Sequence, residues 1–137
     1  MRFHNFFRAA ALAAAVFTLS LPAQAQDEPG DASRVVAIGG SVTEIVYALG
    51  EEGRLIARDS TSVFPEEALA LPDIGYMRAL SPEGVLSVGP GLIITLEGSG
   101  PPEALEVLDK ASVPMVMVPD RFDRDGILEK IRIVGDL

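Results

Sequence analysis

Val35-Val36-Ala37-Ile38-Gly39-Gly40-Ser41-Val42-Thr43-Glu44-Ile45 is the stretch that decides the fold. Val35 to Ile38 is a run of apolar residues without a polar member, three of them β-branched. Such a strand has no face suited to water, so both faces must be covered. Gly39-Gly40 permits a sharp reversal. The periodicity then turns helical, with Val42, Ile45, Val46 and Leu49 on one side and Gly50 closing the segment. Ser41, with Glu44 three residues on, reads as a capping box for this helix. Tyr47 falls on the opposite side, which predicts a surface position.

The same strand–turn–helix alternation continues along the chain. Leu55-Ile56-Ala57 is a second, shorter strand. A long connection from Asp59 to Arg78 follows, with Pro65 and Pro72 in it and room for a short helix at Glu66 to Ala70. Ser81-Pro82-Glu83 starts a helix: a capping hydroxyl, proline in the first turn, and an acid near the positive end of the dipole. This helix ends near Val88-Gly89-Pro90. Leu92-Ile93-Ile94-Thr95-Leu96 is the third strand, and Pro101-Pro102 opens a helix through Lys110. Met115-Val116-Met117-Val118 is the fourth strand. Asp123 to Leu137 is a last helix with Ile127, Leu128, Ile131 and Val134 on one face.

Apolar strands alternating with helices specify a doubly wound α/β unit around a mostly parallel four-stranded sheet. In such sheets ligands sit beyond the carboxyl ends of the strands. Those ends are Gly39-Gly40-Ser41, Asp59-Ser60-Thr61, Glu97-Gly98-Ser99-Gly100 and Pro119-Asp120-Arg121.

Composition narrows the chemistry. The chain has 137 residues, room for one domain, and 48% hydrophobic content suits a folded protein. Asp and Glu number 20 against 11 Lys and Arg, which argues against a nucleic-acid partner. The absence of cysteine excludes disulfides, thiolate zinc sites, iron–sulfur clusters and a cysteine nucleophile.

The first 25 residues read as a signal peptide. Arg2 and Arg8 precede an apolar run from Ala9 to Leu21, and Ala23-Gln24-Ala25 offers small residues for cleavage after Ala25. The run is shorter than the roughly 20 residues that span a bilayer. No cysteine follows it to carry a lipid. Cleavage removes two arginines, taking the net charge from −9 to −11, and removes His4, the one histidine. The exported chain then has neither His nor Cys, so a Ser-His-Asp triad and histidine ligation of a metal or haem are both excluded. Gln26 to Ser33 reads as a flexible leader, and residues 34–137 as the folded unit.

Two segments invite chemistry. Gly39-Gly40-Ser41 presents helix N-terminal N–H groups, where a phosphate or carboxylate can rest. It is not a GxGxxG pattern and no Walker lysine follows, so a plain tight turn explains it as well. Gly75-Tyr76-Met77-Arg78 lies in the long connection. A phenolate is a hard anionic ligand suited to ferric iron, and tyrosine serves as an axial haem ligand. Arg78 can favour the phenolate or bind a ligand carboxylate. From the residues alone, the plainer reading is that Tyr76 is a ring packed under its loop.

Val35 to Leu137 resembles the N-terminal lobe of the haem-specific periplasmic binding proteins of ABC importers. These fall within the class that also carries vitamin B12 and ferric siderophores. The general resemblance rests on Gly39-Gly40-Ser41-Val42-Thr43-Glu44-Ile45 and on Ser81-Pro82-Glu83-Gly84-Val85-Leu86 followed by Pro90-Gly91-Leu92-Ile93-Ile94. The haem-specific part is Leu71-Pro72-Asp73-Ile74-Gly75-Tyr76-Met77-Arg78-Ala79-Leu80. The resemblance implies haem b (hemin) as the transported ligand, Tyr76 as the axial iron ligand, and Arg78 as support for that ligand and for the propionates. Gly40 and Ser41, at the first strand end, join them as candidate ligand-contacting residues. It also implies that Glu83 docks on the permease, through which the importer's ATPase acts.

The implied protein captures and delivers its ligand in the periplasm, is not an enzyme, and works as a monomer peripheral to the inner membrane. Its relatives have two lobes joined by a long helix, so this chain is expected to supply one lobe and half of a cleft. Two alternatives stay open. One is a ferric siderophore or corrinoid as ligand. The other is an exported flavodoxin-like enzyme or regulator that uses the Gly39-Gly40-Ser41 turn, for which no histidine base or nucleophile–base pair is at hand.

Overall fold

A computed structural model describes residues 31–137. The expected signal peptide, and the leader up to residue 30, lie outside the described residues. Asp31 to Ser33, grouped above with the leader, form a turn in which the Arg34 N–H donates to the Asp31 carbonyl at 2.9 Å.

The strands are β1 (Val35–Ile38), β2 (Leu55–Arg58), β3 (Leu92–Leu96) and β4 (Met115–Val118). The helices are α1 (Gly40–Ala48), α2 (Pro82–Ser87), α3 (Pro102–Asp109) and α4 (Arg124–Gly135), with 3₁₀ turns at Glu52–Arg54 and Glu66–Ala70. The sheet order is β2-β1-β3-β4 and every pairing is parallel. β1 and β3 are buried throughout, as the apolar run of β1 and that of β3, broken only by Thr95, require. α1 packs with α4, and α2 with α3. Between them the sheet carries a core that includes Val36, Ile38, Val42, Val85, Ile93, Leu108 and Val118, each without measurable exposure.

The chain leaves β1 toward β2 on one side and returns to β3 on the other. The switch point of the sheet therefore lies between the carboxyl ends of β1 and β3, where a crevice opens in folds of this kind. Gly39 (φ 108) makes the turn out of β1, and a Cβ there would come within 2.7 Å of the Leu96 Cβ. The glycine is what lets β1 and β3 end side by side.

Three sequence expectations change. α1 begins at Gly40 with Gly39 as its cap residue and no side-chain cap, so the Ser41–Glu44 capping box does not form. Ser41 is inside the helix, and its Oγ accepts from Lys130 Nζ at 3.2 Å. Tyr47 is half-buried and packs on the core. On α4, Val134 is buried while Ile127 and Ile131 are 50% and 39% exposed, so the expected apolar face is only partly covered. The cap expected at Ser81 is present, its Oγ accepting from the Gly84 N–H at 3.3 Å, and the structure adds one at Asp123, whose Oδ1 accepts from the Gly126 N–H at 2.6 Å.

Candidate ligand-binding site

The carboxyl ends of β1 and β2 are joined by one buried carboxylate. Asp59 has no exposed surface and accepts from the Gly39 N–H (2.9 Å), the Thr61 N–H (3.0 Å), Thr61 Oγ1 (2.8 Å) and Ser62 Oγ (2.8 Å). The Gly40 N–H in turn donates to Thr61 Oγ1 at 3.1 Å. Ser62 spends its proton on Asp59, so Thr43 of α1 is the donor in the 2.7 Å contact between their hydroxyls. A bare β1–α1 turn would offer two N–H groups to an anion. Here Asp59 and Thr61 already occupy those of Gly39 and Gly40, which removes the main support for an anion seated on Gly40.

The segment that carries Tyr76 is fastened at both sides. Asp73 Oδ1 accepts from the Gly75 N–H (2.8 Å) and Ser60 Oγ (2.9 Å), and Asp73 Oδ2 accepts from Arg58 Nη1 (3.2 Å). Backbone bonds follow the same path: Ile74 N–H to the Arg58 carbonyl, and Ser60 N–H to the Gly75 carbonyl, each 2.9 Å. On the β3 side the Gly100 N–H donates to the Met77 carbonyl, and the Leu80 N–H to the Gly100 carbonyl, each 2.9 Å. Gly75 takes φ 101, a conformation that a side chain would strain.

Ile74, Met77 and Leu80 point into the core, whereas Tyr76 is 48% exposed and Arg78 is exposed. The loop thus bridges the ends of β2 and β3 and displays a phenol and a guanidinium. Tyr47, the other described phenol, is a poor source of phenolate. Desolvation raises its pKa, and the charges of Glu52 and Glu67 push it the same way.

The cations near these strand ends divide clearly. Lys130 is buried and paired with Asp120. Arg121 pairs with Glu129 at 3.2 Å and Asp123 at 3.4 Å. Arg78 has no carboxylate within 4.0 Å among the described residues. Glu83 is exposed in the first turn of α2. Ser41 belongs to a different surface: with Ile45, Phe64, Lys130 and Ile131 it lines a groove of about 370 Å³ along α1 and α4. Tyr76 and Arg78 are exposed on the same loop, two residues apart, while Ser41 lines a different groove and Glu83 stands at the start of α2.

The sequence pattern of the periplasmic binding proteins matches residues 35–137. The chain belongs to that family. This is a family of solute-binding proteins, not a class of enzymes. Among solved structures, the chain is similar to a periplasmic heme-binding protein from Pseudomonas aeruginosa (38% identity, TM-score 0.73, covering 76% of this chain and 37% of that one). It is also similar to the periplasmic heme-binding protein RhuT from Roseiflexus sp. RS-1 in apo form (41% identity, TM-score 0.72, covering 75% and 40%). A vitamin B12-binding protein of Yersinia pseudotuberculosis serotype O:1b is 32% identical over 106 residues, 77% of this chain and 36% of the relative. The chain thus spans well under half the length of these periplasmic binding proteins, and the fold they share with it is the four-stranded lobe described above.

Sequence reasoning assigned no role to Asp59, Asp73 or Lys130. The signal for Asp73 was present: Asp followed two residues later by Gly is an Asx-turn pattern. Asp59 opens a polar run, Asp59-Ser60-Thr61-Ser62, directly after an apolar strand.

Proposed function

We propose that the chain is the N-terminal lobe (residues 34–137) of a haem-binding protein, exported by residues 1–25 to the periplasm and delivering haem to an ABC importer. The observation that carries this reading is the exposed Tyr76–Arg78 pair on a loop held from both sides. A phenolate supplies a hard oxygen ligand to ferric iron. A guanidinium two residues away, with no carboxylate within 4.0 Å among the described residues, suits a propionate, which it can meet with parallel N–H donors. In this reading Tyr76 ligates the iron and Arg78 binds a propionate. Glu83, exposed at the start of α2, meets the permease. Similarity to heme-binding proteins supports the reading.

The vitamin B12-binding relative keeps a corrinoid as the second reading. A corrinoid carries mostly amide side chains, which have less use for a bare cation, and this favours haem. Parallel titrations of the purified chain with haemin and with cyanocobalamin decide between them. Saturable haemin binding with a displaced Soret band, and no cobalamin binding at the same concentration, is the expected result. Saturable cobalamin binding without a haemin response would overturn it.

A further inference from the structure

We propose that Asp73 is the positioning residue of the tyrosine loop: its carboxylate ties the Gly75–Tyr76 turn to the end of β2 and so fixes where the phenol meets its ligand. This rests on the reading of Tyr76 as the iron ligand. Asp73 is joined to the sheet through Arg58, the last residue of β2, whose side chain is buried, and through Ser60 just beyond it. It is joined to the loop through the Gly75 N–H, one residue before the phenol. Arg58 is itself immobilised, since its Nε donates to the Ala68 carbonyl and its Nη1 to the Asp59 carbonyl, each at 3.0 Å. The carboxylate is thus gripped by three donors on one side of Tyr76. On the other side, the Met77 carbonyl is held by the Gly100 N–H at 2.9 Å.

About half of Tyr76 is exposed, so its place depends in good part on these flanking bonds. An iron–oxygen bond tolerates little misplacement of the phenol. Energy spent ordering a loose loop at the moment of binding lowers affinity.

The test compares Asp73→Ala, Asp73→Asn and Tyr76→Phe with wild type in the full chain. Haemin is titrated in, and the phenolate-to-iron charge-transfer band is recorded. Amide hydrogen exchange is followed at Gly75 and Tyr76 without ligand. Asp73→Ala is expected to weaken haemin binding about tenfold, reduce or shift the band, and speed exchange at both amides. Asp73→Asn keeps the shape and an acceptor for Gly75 but loses the charge toward Arg58, so it should fall between. It also decides the matter if Asp73→Ala fails to fold. Wild-type affinity and band in the folded Asp73 variants, with Tyr76→Phe losing both, overturns the positioning role alone. A wild-type chain without the band overturns the iron-ligand reading and the positioning role together.

Discussion

Asp59→Ala should be among the most damaging single changes in this lobe. The carboxylate has no exposed surface and serves the N–H groups of Gly39 and Thr61 and the hydroxyls of Thr61 and Ser62. The Ser62 hydroxyl can turn toward Thr43, 2.7 Å away, and so recovers a partner. The two backbone N–H groups cannot, and each buried donor left unpaired costs about 1–3 kcal/mol. Thr61 is only part-buried, so water relieves some of its loss, and the expected total is about 3 kcal/mol. For a domain of this size that lowers the melting temperature by about 10–20 °C. It is also a large share of a typical stability of about 5–15 kcal/mol. Asp59→Asn keeps one acceptor oxygen but presents an NH₂ group among donors, so it should recover less than half. Urea and thermal melts of the three proteins, followed by circular dichroism, measure this. A loss below about 1 kcal/mol for Asp59→Ala would refute the view that one carboxylate holds the ends of β1 and β2 together.

Two further outcomes follow from the same geometry. Asp73 has its pKa lowered, first by the Gly75 N–H and then by Ser60 and Arg58, and that of Asp123 is lowered first by the Gly126 N–H. A depressed folded pKa stabilises fully above the ordinary aspartate value of about 4 and loses that contribution as pH falls through the folded value; melting temperature should therefore fall as pH drops below about 4, less steeply in Asp73→Asn. Glu83→Ala removes an exposed acid from the start of α2, so it should cost only about 0.5 kcal/mol in a urea melt and leave haemin binding unchanged, while haem uptake by cells carrying the importer falls; undiminished uptake counts against docking through Glu83.

The strands, most helix boundaries and the parallel sheet were legible because each is dictated by local periodicity. Val35 to Ile38 has no polar face to offer water, Leu92 to Leu96 has a single polar residue, Thr95, and Ser81 caps its helix from one turn away. The failures are all non-local. Ser41 and Glu44 carry a capping-box pattern, yet the N–H groups before Ser41 are satisfied by Asp59 and Thr61, about 20 residues further along. Ser41 is then free to serve Lys130 on α4, 89 residues away. Tyr47 was placed by the apolar stripe of α1 alone, which says nothing of the core neighbours that half-bury it. In the site, Gly75-Tyr76-Met77-Arg78 stood out as a loop able to present a phenol, but which of its side chains turn outward was not legible from the residues. The tether that makes it a display, Asp73 to Arg58 and Ser60, required the β2 end to be placed beside the loop.

The central claim is that Tyr76 supplies the oxygen that binds ferric haem. Tyr76→Phe keeps the ring and removes only that oxygen, and Tyr47→Phe makes the same change at the half-buried phenol. Visible absorption spectra of haemin bound to wild type and to each variant test the claim most directly. The account predicts a high-spin ferric spectrum with a phenolate-to-iron band in wild type and Tyr47→Phe, and loss of that band with weaker binding in Tyr76→Phe. An unchanged spectrum and affinity in Tyr76→Phe would contradict it.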